Sequence, residues 1–159
     1  MTRPSPLPHL LFCAGLAFGY GLAQPGRDER PQAAAAPTGP GPGAYQARIL
    51  RVIDGDTVEA RVGVWIGHEI VTKVRLRGVD APELGGGCAA SRGLAEQARA
   101  RLEGLLGNAP VVLSEIGPDR YFGRVVARLT MASGAEAGET LHREGLARRY
   151  GGGRREGWC

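Results

Sequence analysis

The sequence predicts an α+β fold that is mainly β: a small five-stranded barrel, with one helix between the third and fourth strands and a short helix after the fifth. Three observations lead there. Runs rich in β-branched residues recur between Tyr45 and Met131, the period changes to a helical one between Ser91 and Leu106, and the 26 Gly and 11 Pro call for many turns. A chain of 159 residues has room for one domain with a real core, and two full domains would not fit.

Residues 1–23 have the layout of an export signal, with Arg3 near the start, an apolar stretch from Leu10 to Leu22, and the small residues Gly21 and Ala23 before Gln24. The apolar stretch is shorter than the roughly 20 residues of a membrane span. Export to the periplasm or medium is therefore expected, with an uncleaved anchor through residues 10–22 as the alternative. Residues 24–43 (QPGRDERPQAAAAPTGPGPG) offer almost nothing to bury and read as a disordered tether. The folded domain is then 44–159.

Strands are predicted at Tyr45–Ile53, Thr57–Val64 and Ile70–Arg77. Asp54-Gly55 between the first two suits a tight turn, because glycine tolerates the positive φ such hairpins require. From Ser91 to Leu106, Leu94, Ala95, Ala98, Leu102, Leu105 and Leu106 share one helical face, and Gly107-Asn108 with Pro110 supplies the stop. Val111–Ile116 and Arg124–Met131 read as two more strands, followed by a short helix near Gly138–Glu144. This is the element order of an OB-type barrel.

The formal charge of +4 favours an anionic partner, although a merely solvated basic surface would look the same. Two acidic clusters stand out, Asp54-Gly55-Asp56-Thr57 beside a turn and Asp80-Ala81-Pro82-Glu83 just after a strand. Crowded carboxylates repel unless a cation offsets them, so hard-metal ligation by oxygen is one explanation and ordinary turn chemistry the other. An EF-hand loop starting at Asp54 is excluded, since its twelfth position is Trp65 and not a bidentate Glu. Arg75 lies between the clusters, in a strand whose neighbours Val74 and Leu76 would face the other way, and Arg124 opens the fifth strand. Phosphoryl transfer needs such guanidinium forks around the phosphate and a carboxylate to handle the attacking water.

Taken together, Val52-Ile53-Asp54-Gly55-Asp56-Thr57, Val74-Arg75-Leu76-Arg77-Gly78-Val79-Asp80-Ala81-Pro82-Glu83, Asp119-Arg120-Tyr121-Phe122-Gly123-Arg124 and Gly145-Leu146-Ala147 occur in an order and spacing that resemble the staphylococcal nuclease (thermonuclease) family over most of Ala44–Tyr150. The resemblance implies a surface site that hydrolyses DNA or RNA with Ca²⁺, leaving 3′-phosphate ends. Asp56, Asp80 and the main-chain carbonyl of Ala81 would hold the metal, with Thr57 in the outer shell and Asp54 supporting. Arg75 and Arg124 would grip the phosphate, and Glu83 would activate or orient water. Tyr121 and Tyr150 are candidate substrate contacts. The implied partners are the nucleic acid alone, with no stable protein partner, a monomer, and no membrane except through the leader.

Three departures from the family pattern bear on these roles. Phe122 is inserted between Tyr121 and Gly123-Arg124, Gly85-Gly86-Gly87-Cys88 stands in place of a lysine-rich loop, and Glu136-Ala137 replaces apolar positions before the last helix. His68 and His142 have no His or Cys partner at ligand spacing and read as structural. Trp65 and Tyr45 are expected in or beside the barrel, with base stacking as the alternative. Arg143, Arg148, Arg149, Arg154 and Arg155 are either a solvated basic end or a track for a nucleic-acid backbone. If the leader leaves with Cys13, Cys88 and Cys159 remain, and in an exported chain a disulfide between them is expected, anchoring the glycine-rich end. The competing function class is a non-catalytic OB-fold module that binds nucleic acid or protein. Such a module would be expected to lack Glu83 or one of the arginines, and all are present.

Overall fold

The computed structural model describes residues 43–159. The expected leader (1–23) and all but the last residue of the expected tether (24–43) lie outside the described residues. Nine elements follow in order: β1 (Tyr45–Asp54), β2 (Thr57–Trp65), β3 (His68–Leu76), β4 (Val79–Asp80), α1 (Ala89–Leu106), β5 (Val111–Pro118), β6 (Arg124–Thr130), α2 (Ala137–Arg143) and β7 (Arg148–Arg149). Strands β1, β2, β3, β6 and β5 close into a five-stranded barrel, with α1 between the third and fourth barrel strands. This is the predicted architecture, consistent with an OB-type barrel. Closure depends on one parallel pair, in which Lys73–Leu76 of β3 runs beside Arg124–Ala127 of β6.

Alternation along β2 turns Val58, Ala60 and Val62 inward, where they meet Val74 and Leu76 of β3, Leu113 of β5, and Ala127 and Leu129 of β6. One face of α1, through Ala98, Leu102 and Leu106, joins this core, and Leu141 of α2 seals it. Each fully buried leucine stabilises the fold by about 2 kcal/mol through apolar area removed from water. The stop after α1 is as expected: Gly107 takes a positive φ of 50° and its N–H returns to Glu103 O at 3.0 Å. Among the described residues no helix is long and apolar enough to cross a membrane.

Several expectations need correction. Gly55 is not a positive-φ residue. A glycine is required there by close approach, since a Cβ would sit 2.7 Å from both Ala81 Cβ and Ala98 Cβ. Trp65 is not packed with the barrel: it is 75% exposed at the β2–β3 turn, and Tyr45 is also exposed. Val74 and Leu76 do face the other way from Arg75, into the barrel core, and Arg75 is itself buried against Asp56 and Asp80. The small β4–β7 sheet, pairing Val79 with Arg149 and Asp80 with Arg148, was not anticipated. Two-residue strands are too short to leave a period in the sequence.

Candidate active site

Three neighbouring pieces of backbone position the acidic centre. The β1–β2 turn delivers Asp56, β3 delivers Arg75, and β4 delivers Asp80, whose place is fixed by pairing with β7. Asp56 (2% exposed), Arg75 (6%) and Asp80 (5%) are buried together. Arg75 bridges the two carboxylates, with NH1 at 2.8 Å from Asp56 Oδ1 and NH2 at 3.0 Å from Asp80 Oδ1. Its NH2 also donates to Val79 O at 3.3 Å. The Thr57 hydroxyl donates to Asp56 Oδ1 at 2.9 Å, and the Ala81 N–H donates to Asp56 Oδ2 at 3.1 Å. Asp54 shapes the turn by accepting the Asp56 N–H at 3.1 Å.

Burial pushes Asp56 up to about 6 from its ordinary 3.8, and the nearby Asp54 charge adds to this, against the pull of Arg75, the Ala81 N–H and Thr57. At Asp56, desolvation thus outweighs the pull of Arg75.

A second arginine reaches the same surface from β6. Arg124 Nε lies 2.8 Å from Asp119 Oδ2, and its guanidinium stacks 4.6 Å from the Tyr121 ring. Burial acts to raise Asp119, but hydrogen bonds from Arg124 and from the Tyr121 N–H leave it below its usual range. The inserted Phe122 is fully exposed in the turn before β6, and Arg124 opens β6 opposite Lys73. A pocket of about 330 Å³ is lined by Arg75, Asp119, Arg124, Tyr150 and Arg155. Tyr150 faces Arg75, with its ring centre 5.7 Å from the guanidinium carbon. Arg75, Arg124 and Tyr150, far apart in the sequence, therefore meet at one cavity, and Tyr121 lines an adjoining one with Glu83 and Arg124.

Glu83 behaves differently. Its side chain is 65% exposed and is held by the Arg155 guanidinium, which also lies 3.0 Å from Asp80 Oδ1. Cys88 and Cys159 are neighbours but not bonded: both are free thiols, with the Cys88 N–H donating to Cys159 Sγ at 2.8 Å. The expected disulfide is thus not formed here. Hydrogen bonding to the Cys88 sulfur, from the Cys159 side chain first and then the Ser91 backbone, lowers its thiol to about 7. His142 fits its structural role, its Nδ1 lying 3.2 Å from Ala147 O.

Residues 73–156 match the family model described as staphylococcal nuclease homologue. The chain belongs to this family. No curated protein matches the sequence. The staphylococcal nuclease homologue match spans Arg75, Asp80, Glu83, Arg124 and Tyr150, while Asp54, Asp56 and Thr57 precede it and join the site through the β1–β2 turn.

Among the described residues no group of three or more His, Cys, Asp or Glu side chains converges as a metal centre. The buried carboxylates of Asp56 and Asp80, both held by Arg75, offer hard oxygen donors, and such donors suit a hard divalent cation. The Ala81 N–H is spent on Asp56, which fixes the orientation of that peptide.

The sequence assigned no role to Asp119 or Trp158 in the site, and Arg155 was expected only as part of a solvated basic end or a track for a nucleic-acid backbone. Asp119 belongs to the quoted Asp-Arg-Tyr string, so its presence five residues before Arg124 was the available signal. Trp158 Nε1 donates to Asp80 Oδ2 at 3.2 Å, and nothing in the glycine-rich stretch around it marks that contact.

Proposed function

We propose that this protein is an exported, Ca²⁺-dependent nuclease that hydrolyses phosphodiester bonds of DNA, RNA or both. Membership of the nuclease homologue family supports the reaction class. One observation carries the proposal: Arg75, buried between Asp56 and Asp80, lines the same pocket as Arg124. A phosphate in that pocket would meet two guanidiniums aimed by fixed carboxylate partners, a preorganised field for the charge that builds up during in-line attack. A surface that only attracts nucleic acid needs no buried arginine.

Asp56 and Asp80 are the groups that would hold Ca²⁺, with the Ala81 carbonyl and the Thr57 side chain nearby. When bound, the ion supplies positive charge that polarises the phosphoryl group. The chain's own contributions are distinct. Arg75 orients a phosphate oxygen from a position fixed on β3, Arg124 does so from β6 with Asp119 as its brace, and Glu83, exposed to solvent, is suited to take a proton from an attacking water. Export rests on the Leu10–Leu22 stretch and its flanks, with membrane anchoring through residues 10–22 as the alternative. The test is incubation of the purified protein with single-stranded DNA, double-stranded DNA and RNA, with Ca²⁺ or excess chelator. Cleavage in Ca²⁺ that stops with chelator is expected, whereas binding without cleavage in Ca²⁺ would favour a non-catalytic module.

A further inference from the structure

Residues 151–159 do more than trail from the domain. After Tyr150 the chain turns through Gly151-Gly152-Gly153, with φ of 103° at Gly152 and 91° at Gly153, and runs back across the acidic centre. There Arg155 is ion-paired to Asp80, at 3.0 Å, and to Glu83. Trp158 takes the other Asp80 oxygen at 3.2 Å. Asp80 Oδ1 is thus shared by Arg75 and Arg155 while Oδ2 is held by Trp158, so a carboxylate expected to bind metal has both oxygens occupied by the protein itself. The same arginine holds the carboxylate expected to handle water.

The fastening is built to let go. Arg75 sits on a strand in the barrel ladder and makes aligned hydrogen bonds to both aspartates, whereas Arg155 hangs from a glycine-rich segment and its Nε, although buried, has no aligned hydrogen-bond partner among the described residues. Charge attraction alone holds that nitrogen, and release would return conformational freedom to the segment. At the near end the Tyr150 hydroxyl donates to Gly153 O at 2.7 Å, and the remaining attachments lie at the far end. Arg148 stacks 3.9 Å from the Trp158 ring and donates to Gly157 O at 3.0 Å, and Cys159 Sγ meets the Cys88 N–H. Gly87 makes room, since a Cβ there would lie 3.0 Å from Cys159 Sγ.

We propose that residues 151–159 form an autoinhibitory strap: Arg155 is a tethered cation that a divalent ion must displace from Asp80 and Glu83, and the Cys88–Cys159 thiol pair is its latch. This rests on the nuclease function proposed above. A low-molecular-weight disulfide oxidant such as oxidised glutathione would take two electrons from the pair and be reduced to two thiols. The Cys88 and Cys159 sulfurs would lose their protons and form one S–S bond. Closing the latch raises the effective concentration of Arg155 at the acidic centre and so weakens the competing ion.

The experiment is Ca²⁺ titration by calorimetry on the full chain, reduced and oxidised, with hydrogen exchange of residues 151–159 recorded alongside. Exchange there should accelerate when Ca²⁺ saturates the reduced protein. Removing a partly exposed ion pair in Arg155→Gln should tighten Ca²⁺ by about twofold to fivefold, and Arg155→Lys should bring the affinity back toward the parent. Oxidation should weaken Ca²⁺ binding in the parent and leave Cys159→Ser unaffected. Unchanged affinity in Arg155→Gln with an unchanged melting temperature, or exchange that Ca²⁺ leaves alone, would overturn the strap. If instead Arg155→Gln binds Ca²⁺ more tightly yet neither protein cleaves nucleic acid, the strap stands and the nuclease proposal fails.

Discussion

Gly55→Ala tests the link between turn geometry and site more sharply than any charge change. The new Cβ would fall 2.7 Å from Ala81 Cβ and 2.7 Å from Ala98 Cβ, one on the loop after β4 and the other on α1, and both neighbours are buried. Neither contact is the free end of a flexible side chain, so backbone must move to restore ordinary separations. Overpacking of this kind costs about 1–3 kcal/mol, a substantial share of the roughly 5–15 kcal/mol that holds a domain together. Urea denaturation at 25 °C is the assay, and with a slope near 1–3 kcal/mol per molar the midpoint should fall by about 1 M. The movement also loosens the 3.1 Å bond from the Ala81 N–H to Asp56, so Ca²⁺ affinity should fall with stability. Gly104→Ala is the control: nothing lies within 4 Å of its Cβ, and in the body of α1 it should stabilise by about 0.5–1 kcal/mol. A Gly55→Ala protein with the parent's midpoint would refute the close-approach explanation.

Two further outcomes follow from the buried centre. Because the folded state raises Asp56 from 3.8 to about 6, its contribution favours folding below pH 3.8 and is lost as pH rises through 6, by up to about 3 kcal/mol; Asp56→Asn should therefore be more stable than the metal-free parent at pH 7, with the difference shrinking toward pH 4, and a difference independent of pH in thermal melts would show that the burial does not cost what the shift implies. Arg75→Lys keeps the charge but cannot span Asp56 and Asp80 with two planar donors, so turnover should fall at least tenfold with the fold retained by circular dichroism, and unchanged turnover would reduce Arg75 to general attraction.

The barrel was legible in the sequence because its signals are periodic. Val58, Ala60 and Val62 alternate, and Ala95, Ala98 and Leu102 repeat at helical spacing, so burial follows the pattern. The two aspartates and the two arginines were legible as motif strings, and the fold does bring Arg75 to both Asp56 and Asp80. What escaped depends on chain that crosses the molecule. Gly55 looked like a conformational glycine, while its actual constraint comes from Ala81 and Ala98, which lie far along the sequence. Trp65 was expected against the barrel as a large apolar ring, but a residue at the tip of a hairpin has no facing layer to pack on. Arg155 and Trp158 lie among glycines without any period, and their contacts with Asp80 exist only in three dimensions.

The most direct measurement is nucleic-acid cleavage by the purified protein and by Glu83→Gln, with Ca²⁺ and with excess chelator, followed on single-stranded DNA, double-stranded DNA and RNA. The amide keeps the shape of Glu83 but cannot take a proton from water, so loss of a positioned general base should slow cleavage by about 10²-fold or more. The account predicts Ca²⁺-dependent cleavage of at least one substrate by the parent and that loss in the variant; equal rates for parent and Glu83→Gln would contradict it.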